Sequence, residues 1–143
     1  MTGSGPALGW VAEACTMLLG PDASMEALAR WLGQGTDART PTRVTAGSGA
    51  LPAVQDVSVL GDDGVPRSLS AWYVPDGGPT VEEAEAVFGP SEEILAVADG
   101  PFRVAFTTLS SRWATCLVAG STWDPPGDGR RLVEILLRRD PRD

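Results

Sequence analysis

Apolar residues recur at helical spacing over residues 7–19, where Leu8, Val11, Ala12, Cys15, Leu18 and Leu19 form one stripe. Gly20-Pro21 then ends the run, so a first helix is expected from Ala7 to Leu19. Ser24 is placed to cap a second helix. That helix carries Met25, Leu28, Ala29 and Leu32 on one face and stops at Gly33. The stretch from Gly33 to Pro41 is polar and rich in breakers, which predicts a mobile loop.

Beyond Thr42 the period changes from helix to strand. Residues 43–46 and 54–60 read as strands, and Gly61-Asp62-Asp63-Gly64 reads as a turn. In residues 68–74, Leu69, Ala71 and Tyr73 alternate with Ser68, Ser70, Trp72 and Val74, so the pair forms an antiparallel hairpin. Thr80-Val81-Glu82-Glu83 is a capping box opening a short helix, with Val81, Ala84 and Phe88 on one face and Gly89-Pro90 at its end. Four further strands are predicted over residues 94–98, 102–107, 113–119 and 132–138. The last also fits a helix. The clearest alternation is Phe102, Val104 and Phe106 against Arg103, Ala105 and Thr107.

These elements predict one α+β domain over residues 1–143, a mostly antiparallel sheet with two N-terminal helices and one inserted short helix on one face. Flexible ends are expected at 1–6 and 140–143. Residues 24–33 can be laid on residues 80–89, each a capped helix ending in glycine ahead of a strand meander. This suggests a tandem helix-plus-meander repeat, 21–75 and 76–138. Only Glu26/Glu82 and Gly33/Gly89 are identical across it. The order of elements over roughly residues 24–138 resembles the tandem units of β-lactamase inhibitor proteins and of small outer-membrane assembly lipoproteins. It equally resembles small acidic immunity proteins. The chain departs from the secreted inhibitors in lacking a leader and a close-spaced cysteine pair. What the resemblance implies is a binding function.

Composition narrows the chemistry. The 143 residues include eleven arginines and no Lys, His or Asn, a bias that GC-rich codons explain. Without histidine or lysine there is no Ser–His–Asp or Cys–His arrangement, no histidine metal ligand and no Schiff-base lysine. Cys15 and Cys116 lie in apolar settings without CxxC spacing, as small buried hydrophobes in a reducing compartment would. No apolar run reaches the roughly 20 residues of a membrane span, and Met1 to Trp10 shows no basic residue ahead of an apolar stretch. A cytoplasmic location is expected.

The net charge of −8 opposes nucleic-acid binding, which requires a basic surface. Charge is unevenly spread: residues 130–143 hold five arginines and three acids, +2, which leaves −10 for the remainder. Arg130, Arg131, Arg138 and Arg139 read as the charged rim of an edge strand. Asp62 and Asp63 suit a hairpin turn better than a cation site, and the glycine-rich segments 47–49 and 127–129 lack a phosphate-binding Lys.

Seven acids and no base lie between Asp76 and Asp99. They read as a solvated helix face or as an anionic surface that steers a basic partner. Trp31, Trp72 and Trp113 are expected to be at least partly in the core. Trp123, in the loop Ser121-Thr122-Trp123-Asp124-Pro125-Pro126, either folds back onto the core, the first expectation, or anchors an interface.

The sequence therefore points to a non-enzymatic protein-binding module of the immunity or inhibitor kind, a monomer or homodimer. Glu82, Glu85, Glu92, Glu93 and Trp123 are its candidate contacts with a basic protein partner. No catalytic, cofactor or metal residue is assigned. Two other classes stay open. One is a carrier with an apolar pocket lined by Phe102, Phe106 and Trp113; the other is an enzyme using carboxylates or the two cysteines.

Overall fold

The computed structural model describes residues 5–34, 42–94 and 100–142. Helix α1 runs Gly5–Leu19 and α2 runs Met25–Trp31, followed by strands β1 (Arg43–Ala46), β2 (Val54–Asp62) and β3 (Val65–Tyr73). Helix α3 spans Val81–Phe88; β4 (Glu92–Ile94), β5 (Phe102–Ser110), β6 (Ala114–Thr122) and β7 (Glu134–Pro141) complete the order. The seven strands form one antiparallel sheet in the order β1-β2-β3-β7-β6-β5-β4. The expected α+β architecture is the one observed. The segment 132–138, which suited either helix or strand, contributes a strand. Most of the predicted loop at 33–41 and most of the predicted strand at 94–98 lie outside the described residues.

Local chemistry sets the element ends. Ser24 accepts the Ala27 N–H at 3.0 Å and caps α2, and Gly33, at φ 77°, turns the chain out of it. The Thr80–Glu83 capping box is fully formed at α3, with bonds of 2.9 and 3.1 Å. Asp63 and Gly64, both at positive φ, make the tight β2–β3 turn. The Gly64 carbonyl of that turn accepts the Met25 N–H at 2.8 Å, fastening the hairpin to the start of α2.

Alternation divides the sheet into two faces. Leu69, Ala71 and Tyr73 of β3, Ile135 and Leu137 of β7, Cys116 and Val118 of β6, and Val104 and Phe106 of β5 are all buried. They join Leu8, Val11, Leu18, Met25 and Leu28 of the first two helices in one apolar cluster. The Tyr73 hydroxyl donates to the Ala7 carbonyl at 2.9 Å, tying the sheet to α1, and burial raises its pKa. Among the described residues no helix covers the opposite face. It holds Ser58, Ser70, Trp72, Leu117 and Leu136.

Several expectations need correction. The arginines of the C-terminal strand do not rim an edge, because β7 lies in the middle of the sheet, between β3 and β6. Arg139 is buried, and its Nε donates to the Leu18 carbonyl at 2.7 Å at the C-terminus of α1, where a cation complements the helix dipole. In the C-terminal segment, Asp140 and Pro141 pair with Thr115 and Ala114, and the Arg142 N–H bonds to Trp113 O. At the other end, α1 already begins at Gly5, inside the segment expected to be flexible. Trp113 is not core but 44% exposed, sitting in the β5–β6 turn under the Arg112 guanidinium. The order helix, three strands, helix, four strands does not establish an internal duplication.

No helix among the described residues is long and apolar enough to cross a membrane.

Candidate functional site

Trp72 lies on the polar phase of β3, between Ser70 and the end of the strand, and so points away from the helix-covered core. It remains 38% exposed, where at least partial core placement was expected. Its direct neighbours are Asp56 on β2 and Glu134 on β7, and Ser121 of β6 is paired to Glu134 in turn. Two residues beyond Ser121 stands Trp123, immediately after β6. The chain bends there as the Asp124 N–H bonds back to Thr122 Oγ1 at 3.2 Å. Fold-back of this indole was expected, and the structure places it in solvent at 59% exposure.

Between the two indoles lies the lead-in to β7. Val133 accepts the Tyr73 N–H and donates to Ser121 O at 2.8 Å, so it continues the sheet as a floor. Gly78 packs so closely on this lead-in that a β-carbon there would sit 2.0 Å from Leu132 O. Leu132 N donates to Pro79 O, and Arg131 Nη1 donates to Gly78 O at 2.6 Å, which pins one wall.

The result is a cleft of about 580 Å³ lined by Trp72, Trp123, Val133, Asp56, Asp76, Asp124 and Arg131 among others. With three aspartates against one arginine, its lining carries a net charge of −2. No ion pair with a described residue neutralises Asp56, Asp76 or Asp124.

The acidic helix face fares differently. Glu82 accepts the Gly129 N–H at 3.0 Å, and Glu83 completes the cap. Glu85 accepts both the Ser91 N–H at 3.0 Å and the Ser91 hydroxyl at 2.8 Å. Glu93 pairs with the buried Arg130 guanidinium. Of the four predicted glutamates only Glu92, exposed on the short edge strand β4, makes no side-chain bond to a described residue. None of the four lines the cleft. Sequence reasoning found Trp123 and missed Trp72, Asp56, Asp76, Asp124 and Arg131 as a set. Trp72's place on the polar phase of its strand was the one signal that pointed there.

Other chemistry is sparse. Glu134 is the one buried carboxylate among the described residues, and it accepts the hydroxyls of Ser70 and, at 3.0 Å, Ser121. Among the described residues it has no second buried carboxylate with which to divide acid and base roles. Cys15 and Cys116, distant in sequence, meet where α1 packs on β6, and both are free and buried. The adjacent Cys15 thiol, together with burial, pushes the Cys116 thiol well above its usual range. No cluster of three or more potential metal ligands exists among the described residues.

Phe106 packs on Phe88 with ring centroids 6.1 Å apart and borders a groove of about 230 Å³ that neither Phe102 nor Trp113 lines.

No protein family, curated protein or solved structure matches the chain.

Proposed function

We propose that the chain is a non-enzymatic protein-binding module, of the immunity or inhibitor kind, acting in the cytoplasm on a partner with a basic surface. Its contact point is the cleft between Trp72 and Trp123. The observation that carries this reading is the pair of exposed indoles on one concave, negatively charged site. Leaving two indoles half in water costs transfer free energy that folding back would recover, and a partner's surface recovers it instead. Tryptophan is also the residue type most often found at the energetic centre of an interface.

The acidic face of α3 has a different role in this reading. Its carboxylates are largely used within the chain, so it adds long-range attraction within a screening length of about 8 Å rather than contact. The test is affinity capture from a native lysate with wild type, Trp72→Ala and Trp123→Ala. A partner is expected that wild type retains and that either variant holds at least about 30-fold more weakly, the scale of an interface hot spot. Equal retention by all three would sink the reading.

A further inference from the structure

We infer that the group entering the cleft is an arginine side chain projecting from the partner, its guanidinium lodged against Trp72 and Trp123 and facing Asp56 and Asp124. This rests on the reading of the cleft as the contact point, and it names the chemistry of the occupant. Trp72 and Trp123 are carried on the two sides of the β7 lead-in. With strands about 4.8 Å apart, the strands that carry them lie about 10 Å apart, and Trp123 stands two residues beyond Ser121, the residue level with Trp72. That span leaves room for one planar group against the indoles, over the Val133 floor.

Three aspartates that form no ion pair with a described residue make the cleft unfavourable to an anion and to a purely apolar occupant. Arg131 makes no ion pair with any of the three, and its Nη1 is held by the Gly78 carbonyl. Among cations, a guanidinium fits best. It is planar, stacks on aromatic faces, pairs with carboxylates through a donor fork and is less strongly hydrated than an ammonium. A free amino acid would bring its own carboxylate into the negative rim, whereas an arginine within a chain brings none.

The probes are blocked tripeptides, Gly-Arg-Gly and its lysine and citrulline counterparts, with free arginine as a fourth. Each is titrated calorimetrically into the intact protein at low salt. The arginine peptide is expected to saturate the protein in the millimolar range. The citrulline peptide, equal in shape but uncharged, should bind about tenfold more weakly or worse, and lysine and free arginine should also fall below the arginine peptide. Asp56→Asn, Asp124→Asn and Trp123→Ala should each weaken binding several-fold while melting as wild type does.

Citrulline or lysine binding as well as arginine would overturn the guanidinium, and tighter binding of free arginine would overturn a protein-borne occupant. No binding of the arginine peptide, alongside partner capture that still depends on Trp123, would overturn this inference and leave the cleft reading standing. Capture that depends on neither indole would remove both.

Discussion

Replacing Glu85 by alanine separates the two roles open to the acidic helix. Glu85 sits in the last half of α3, and its Oε2 accepts two bonds from Ser91, at 3.0 Å from the N–H and 2.8 Å from the hydroxyl. These bonds hold the chain as it leaves Gly89-Pro90 for β4. Hydrogen bonds to a charged group contribute about 1.5–3 kcal/mol when buried. Glu85 is half-buried, so solvent screening brings the pair to about 1–2 kcal/mol in total. Alanine is at least as good a helix former as glutamate, so the helix itself loses nothing. For a chain of this size, 1 kcal/mol moves the melting temperature by about 3–4 °C. The expected drop for Glu85→Ala is therefore about 3–8 °C by differential scanning calorimetry. Glu92→Ala is the control. Its exposed carboxylate bonds to no described residue, and the change should stay within about 0.5 kcal/mol. If both variants melt alike, the acidic face is not part of the structural framework, and the assignment of its carboxylates to internal bonds is wrong.

Gly78→Ala should prevent folding or lower the melting temperature severely, because its β-carbon would meet the backbone oxygen of Leu132 at 2.0 Å, and circular dichroism melts would show it. Arg139→Met should cost about 2 kcal/mol by urea titration, since it strips the Leu18 carbonyl of a charged donor at the end of α1. Tyr73 is the sole tyrosine, and burial raises its pKa, so folding favours the neutral phenol. That contribution is fully present below the unfolded value of about 10 and is lost as pH rises above it; wild type should lose stability there faster than Tyr73→Phe. Cys15 and Cys116 should react slowly with a thiol reagent in the native protein and fully on unfolding, and fast native labelling of either would contradict their burial.

Periodicity in the sequence determined the elements. A residue's phase on a strand or helix depends only on its neighbours, so the α3 capping box, the Asp63-Gly64 turn and the inward Leu69, Ala71 and Tyr73 could be read locally. The absence of histidine and lysine likewise excluded whole reaction classes without any coordinates. Tertiary structure decided everything that depends on strand order. Arg138 and Arg139 look like an edge rim from sequence, but placing β7 between β3 and β6 put Arg139 under α1. The same placement brought Trp72 and Trp123, 51 positions apart in the chain, to the two sides of the β7 lead-in. Glu82, Glu85 and Glu93 looked like a free charged surface because their partners Gly129, Ser91 and Arg130 are set by loops and packing. A carboxylate's availability depends on which donors the fold delivers to it, and local pattern carries no record of those donors.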